Sequence, residues 1–215
     1  HAGLDVITYL GLGTSDRISG ITDTGRKIPH NLNGVPEMIW IKNANATEDW
    51  QVYHHGLNGG SSPETKRITL NNNNGEDSNG SVVWNGVAPT ATHFTLGTDD
   101  SVNKDNSYHV AYLFKSISGI CKVGYYTGTG SSGNAQTLGF TPRFLIVKKS
   151  DGSGGWSVTD SFSQDLDASG DEKYLDLNTE SSQYTGDYFD TTATGFTFTG
   201  SGWNVGTWGR GTWNS

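Results

Sequence analysis

The chain repeats its own landmarks in order, and this limits what it can fold into. Tyr9-x-Gly11-x-Gly13 returns as Tyr126-x-Gly128-x-Gly130. Pro36-x-Met38-Ile39-Trp40-Ile41-Lys42 returns as Pro142-x-Phe144-Leu145-Ile146-Val147-Lys148. Trp50-x-Val52 returns as Trp156-x-Val158, Ile68-x-Leu70-Asn71 as Leu175-x-Leu177-Asn178, and Phe94-Thr95-Leu96 as Phe196-Thr197-Phe198. Chance supplies one or two such matches; an ordered set at a spacing of about 100–120 residues marks an internal repeat. The 215 residues therefore read as two homologous domains in tandem, 1–116 and 117–215. The join, "LFKSISGICK", has no Pro/Gly-rich spacer, which predicts a packed or semi-rigid pair.

Each copy reads as strands. No stretch of a dozen residues keeps an apolar i, i+3, i+4 stripe free of glycine. Short β-branched and aromatic runs appear instead at 4–10, 37–43, 50–54, 67–70, 93–96 and 108–114. The second copy has them at 121–126, 143–149, 156–159, 174–177 and 195–199, with a less regular candidate at 206–213. Turn-rich connectors such as "LNNNNGEDSNG" and "SDGSGG" separate them. "MIWIK", "FLIVK" and "YHVAYLF" are nearly continuous in apolar character, as suits central strands covered on both faces. Many short strands with polar turns predict an all-β fold of antiparallel sandwiches.

Composition excludes several functions. Thirty glycines with few prolines and 11% aromatic residues describe neither collagen nor a disordered chain. A net charge of -8, with no basic cluster beyond Lys148-Lys149, argues against nucleic acid. No apolar run is long enough to span a bilayer, so membrane insertion is not expected. The lone Cys121 cannot form an intrachain disulfide and reads as a small core residue. The chain starts at His1 with no initiator Met or leader pattern, and is expected to be a processed product or a piece of a longer protein.

The phrases "VPEMIWIKN", "WNGVAPTATHFTLG", "NSYHVAYLF", "GYYTGTGSSGNA" and "GFTPRFLIVKK" resemble tandem domains in structural proteins of tailed phages, especially marine and cyanobacterial ones. The resemblance runs from Leu4 to about Gly200. It implies two concanavalin A-like (lectin/glucanase-type) jelly-roll sandwiches in a tail fibre or other virion appendage. It also implies a location on the virion surface, contacts with other virion subunits, and homo-oligomers that are commonly trimers. One departure stands out. The first copy closes with "NSYHVAYLF", whereas the second ends "GWNVGTWGRGTWNS". The last strand of the second copy is therefore atypical, either altered or supplied by another chain.

The sequence offers few candidates for chemistry. Sandwich glucanases need two acids placed to flank a glycosidic bond, and no such spacing occurs. The expectation is a protein without catalytic residues that contacts host cell-surface glycans. A passive structural or capsid-decoration protein with no ligand is one alternative, and a carbohydrate-active hydrolase is another. Sugar recognition needs a ring face and nearby amides, which points to Trp84 with Asn85 and to Trp203 with Asn204. Trp50 and Trp156, which recur within strands, read as core. Calcium is the one cofactor with a candidate site: "TDDSVNKDN" gathers Asp99, Asp100, Asn103 and Asp105 in one loop, though not in an EF-hand pattern. "SFSQDLDASGDE" (161–172) is a second acidic loop. Finally, "TGTGSSG" matches the glycine spacing of a phosphate-binding loop, but no helix follows it, so it reads as a strand and its exit turn.

Overall fold

The computed structural model describes residues 3–13, 25–161 and 171–204, together with the backbone of 211–214. The described residues are all-β apart from very short helices, and every strand pairing is antiparallel. Two compact units emerge. The first comprises His1–Leu70 and Glu76–Lys115; the second comprises Asn71–Gly75 and Ser116–Ser215.

The first unit contains β1 (Leu4–Leu10), β2 (Arg26–Pro29), β3 (Met38–Asn43), β4 (Gln51–His54), β5 (Ile68–Thr69), β6 (His93–Leu96) and β7 (Tyr108–Phe114). It also holds two short α-helices, α1 (Gly80–Trp84) and α2 (Asp100–Asn103), and two 3-10 turns at Leu57–Gly60 and Pro63–Thr65. Its larger sheet runs β1-β7-β3-β4-β5, and β2 pairs with β6. Alternation along the strands sorts residues between faces. Ile7, Tyr9, Ile39, Ile41, Ala111 and Leu113 from the larger sheet meet Ile28, Phe94 and Leu96 from the smaller one in a single core. Each fully buried aliphatic or aromatic side chain contributes about 1.5–3 kcal/mol relative to exposure.

The second unit contains β8 (Cys121–Gly124), β9 (Ala135–Thr137), β10 (Phe144–Lys148), β11 (Trp156–Asp160), β12 (Glu172–Asp176), β13 (Tyr184–Gly186), β14 (Phe189–Thr192), β15 (Gly195–Phe198) and β16 (Gly211–Asn214). Its larger sheet runs β8-β16-β10-β11-β12-β13 and its smaller one β14-β15-β9. The first five positions of the larger sheet follow the order of the first unit. The register agrees too. In the first unit Leu113 lies opposite both Asp5 and Ile39. In the second, Trp213 lies opposite both Lys122 and Leu145. The core of this unit is aromatic, with Tyr126, Phe189, Phe196, Phe198 and Trp203 around Leu145 and Val147.

The closing strand of the second unit comes from this chain. Gly211–Asn214 pairs with β8 on one side and β10 on the other, as β7 pairs with β1 and β3. The atypical sequence thus fills the ordinary position; the part of the candidate strand at 206–210 lies outside the described residues. Strands β2, β9, β13 and β14 were not legible as strands. They are three or four residues long and rich in Lys, Gln, Thr or Gly, so they carry little apolar alternation.

Candidate functional site

Two of the residues singled out as ligand-binding candidates, Asn103 and Asn204, hold two matching hydrogen-bond clasps. In the first unit, β1 delivers Tyr9 to the core, where burial pushes its phenol pKa far up and its hydroxyl donates to the carbonyl of Val102 (2.7 Å). The chain then turns through Gly11 and Gly13. A Cβ at Gly11 would sit 2.0 Å from the carbonyl oxygen of Lys104, and Gly13 has φ +59°, so both positions need glycine. The turn is held by Asn103, which is 4% exposed. Its Oδ1 accepts from the Leu12 N–H (3.2 Å) and from Arg26 Nη1 (3.3 Å). Its Nδ2 donates to the carbonyls of Gly13 (3.0 Å) and Gly97 (3.3 Å), and its own carbonyl accepts from Gly13 N–H (2.8 Å). The carboxamide is therefore fully occupied.

The second unit has the same clasp. Tyr126 donates to the carbonyl of Trp203 (2.7 Å), as Tyr9 does to Val102. Asn204, fully buried, accepts at Oδ1 from the Thr129 N–H (3.0 Å) and from Asn134 Nδ2 (2.6 Å). Its Nδ2 donates to Thr129 Oγ1, Ser131 O and Gly200 O, and its carbonyl accepts from Gly130 N–H (2.7 Å). Gly130, like Gly13, has positive φ (+71°). Sequence reading treated Asn103 as a calcium ligand and Asn204 as a glycan ligand. The two occupy one position and hold one turn.

The remaining candidates are engaged in similar ways. The Trp84 ring is 2% exposed, stands edge-on to Tyr53 (5.8 Å) and donates from Nε1 to the carbonyl of Lys66 (3.1 Å). Asn85 is the left-handed C-cap of α1, with φ 55°. Trp203 is 3% exposed, stacked on Tyr188 (4.9 Å) and edge-on to Tyr174 (5.0 Å). Neither indole leaves a face open, so the expected ring-plus-amide grooves are not formed by these pairs. Trp156 is fully buried and Trp50 partly so.

The calcium loop is likewise spoken for. Asp99 is the N-cap of α2, accepting from Ser101 N (2.9 Å) and Ser101 Oγ, with Arg67 3.7 Å away. Asp100 faces Lys104 at 3.8 Å, and Asp105 accepts from Asn106. These oxygens cap and pair rather than converge, which corrects the expected cation site. Among the described residues, no group of three or more His, Cys, Asp or Glu could hold a metal ion. The second acidic loop, 161–172, lies mostly outside the described residues.

Three charged or titratable groups escaped sequence reading. Lys148 is fully buried at the end of β10, and its ammonium donates to the carbonyls of Gly154 (2.6 Å) and Asn73 (3.3 Å). Burial lowers its pKa to about 8, partly offset by Asp176. Lys42 makes the corresponding bond in the first unit, to the carbonyl of Glu48. Each lysine thus closes the hairpin that begins six residues before its acceptor. Glu172 is buried, and its Oε2 accepts from the N–H groups of Tyr188 (2.6 Å) and Phe189 (3.3 Å). Its Oε1 has no hydrogen-bond partner among the described residues, and burial raises the carboxyl pKa from its usual 4.5. His109, also buried, stacks on Tyr9 (5.1 Å, 6° between planes), and burial lowers its pKa.

Residues 1–211 match the model of a family described as Domain of unknown function (DUF7483), and the chain belongs to that family. No curated protein and no solved structure matches it. Among the described residues, no helix is long and apolar enough to cross a membrane.

Proposed function

We propose that the chain is a structural element of a tailed-phage virion appendage, tail-fibre-like and without catalysis, built from two tandem copies of a concanavalin A-like jelly-roll sandwich. The observation that carries this reading is the shared clasp. The same tyrosine, glycine turn and asparagine, with the same strand order and register, recur in both units. The polar residues that most resembled ligands hold the turns of the sandwich closed, as expected for a scaffold. The phage assignment rests on the resemblance of phrases such as "VPEMIWIKN" and "GFTPRFLIVKK". Mass spectrometry of purified particles tests it. Peptides of this chain at structural stoichiometry support the reading, and their absence from particles overturns it.

A second reading, adhesion to host glycans, draws on a different surface. Tyr184 on β13 is 39% exposed and stacks on Tyr174 (4.9 Å, 19° between planes), next to the exposed polar residues Ser181, Ser182 and Gln183. An exposed ring beside hydroxyl and amide groups suits the apolar face of a sugar. A glycan array with the intact protein and Tyr184→Ala tests this. Binding lost in the variant supports adhesion at this edge, and no binding by the intact protein leaves the scaffold reading alone.

A further inference from the structure

We propose that Asn74 is a self-modification site: its carboxamide closes on the backbone nitrogen of Gly75, loses ammonia, and reopens as an isoaspartyl link that frees the Asn71–Gly75 segment from Lys148. The inference goes beyond the virion reading and does not depend on it.

The chemistry belongs to Asn–Gly pairs, because glycine has no side chain to keep its nitrogen from the neighbouring carboxamide. Five such pairs occur, at Asn33, Asn58, Asn74, Asn79 and Asn85. Reaction needs a free carboxamide and a peptide that can turn toward it. Four pairs are held. The Asn33 carbonyl accepts from Lys115 Nζ, the Asn58 carbonyl from Ser61 N–H (3.2 Å) and the Asn79 carbonyl from Val82 N–H (3.3 Å). Asn58 also donates from Nδ2 to the Ser61 carbonyl (2.6 Å), Gly80 is buried at the start of α1, and Asn85 is the left-handed C-cap of that helix. Asn74 differs. It is exposed, lies in no helix or strand, and donates from its N–H to Asn72 Oδ1 (3.0 Å). Among the described residues its carboxamide, its carbonyl and the Gly75 N–H make no hydrogen bond.

The step balances with water as its only co-reactant. The Gly75 nitrogen bonds to Asn74 Cγ while the Cγ–Nδ2 bond breaks, and the Gly75 amide proton leaves with that nitrogen as ammonia. Water then opens the cyclic imide at one of its two carbonyls. Opening at the former side-chain carbonyl leaves an ordinary aspartyl residue. Opening at the backbone carbonyl leaves an isoaspartyl residue, whose main chain runs through Cβ and Cγ and is one methylene longer. The extra methylene falls between two fixed points of the second unit. Before it, the Asn73 carbonyl accepts from Gly154 N–H (2.9 Å) and Lys148 Nζ (3.3 Å). After it, Gly75 packs so closely that a Cβ there would sit 2.7 Å from the Ser150 carbonyl oxygen and 2.8 Å from the Gly152 nitrogen. The lengthened link cannot keep both contacts. Release of the Asn73 carbonyl takes one acceptor from Lys148, which is fully buried in the unmodified protein.

Incubation of the intact protein in mildly alkaline buffer, followed by peptide mapping and isoaspartyl methyltransferase labelling, tests the proposal. Asn74 is expected to convert first. The other four pairs react only through local opening, so they should lag by about tenfold or more. The same incubation in urea should bring all five to comparable rates, which shows that the fold makes the selection. Acylation of Lys148 should rise in step with the isoaspartyl fraction, and Asn74→Ser, at an exposed position, should abolish both changes. An intact Asn74, or another Asn–Gly pair converting as fast in the folded protein, would overturn the site. Unchanged Lys148 acylation after conversion would overturn the release.

Discussion

Asn103 and Asn204 occupy the same place in their two units. Each carboxamide accepts from the backbone N–H three residues after the first strand's tyrosine, at Leu12 and Thr129. Each donates to the glycine carbonyl that follows the Phe-Thr strand, at Gly97 and Gly200. The second donor has changed, from the Arg26 guanidinium on β2 to the Asn134 amide just before β9, but still reaches the same oxygen. The clasp therefore constrains the turn by its geometry and tolerates a change of donor.

Asn103→Ala and Asn204→Ala should each destabilise the unit that contains them. Both side chains are buried, and their removal takes hydrogen-bond partners from the backbone of the turn, at a cost of about 1–3 kcal/mol. Asparagine to aspartate should cost at least as much, because a carboxylate cannot donate to the Gly97 or Gly200 carbonyl. Urea unfolding of each variant measures this. A loss below about 0.5 kcal/mol, the range of an ordinary surface change, would mean the clasp is incidental.

Glu172 should make the second unit less stable as pH rises. Its folded pKa lies above the unfolded value near 4.5, so the folded state holds a proton that the unfolded chain has released. Stability is fully present below pH 4.5 and declines above it, through the folded pKa. Glu172→Gln should flatten that slope. Thermal melts of both proteins between pH 4 and pH 7 provide the check; parallel slopes would contradict the assignment.

Lys148 works in the opposite direction at alkaline pH. Its folded pKa, about 8, lies below the usual 10.5, so in that window the unfolded chain binds the extra proton. Stability contributed at this site should rise with pH between those values, and Lys148→Met should abolish the rise. The buried amine should also resist acylation in the folded protein and react once it unfolds, as peptide mapping would reveal. Rapid labelling of the native protein would be the contrary result.

Asp99→Ala should cost about 1 kcal/mol, typical of a lost N-cap, and the loss should be the same with calcium or with a chelator. A melting temperature that rises on adding calcium in the intact protein but not in the variant would restore the cation site.

Much of the fold was legible because the repeat lies in strands. Apolar runs such as Met38–Asn43 and Phe144–Lys148 keep their pattern under any local environment, since both faces must be filled. Their turns were harder. Asn103 and Asn204 follow Phe94 and Phe196 of the recurring Phe-Thr strand by nine and eight residues, a regularity hidden by one change in loop length. An asparagine among Asp and Ser, or beside a tryptophan, looks the same whether it holds a ligand or a backbone turn. What separates the two is burial, which the local sequence does not encode. The helices α1 and α2 were equally hidden, since four or five residues show no helical stripe.

The central claim is that the same tyrosine–glycine–asparagine clasp holds a turn in each of the two units, and amide hydrogen exchange tests it most directly. The N–H groups of Leu12, Gly13, Thr129 and Gly130 all donate within the two clasps. The account predicts slow exchange at all four, with Asn103→Ala releasing Leu12 and Asn204→Ala releasing Thr129, whose acceptors are the lost side-chain oxygens, while Gly13 and Gly130 keep their backbone acceptors. Exchange at these amides as fast as in an open glycine-rich loop would contradict it.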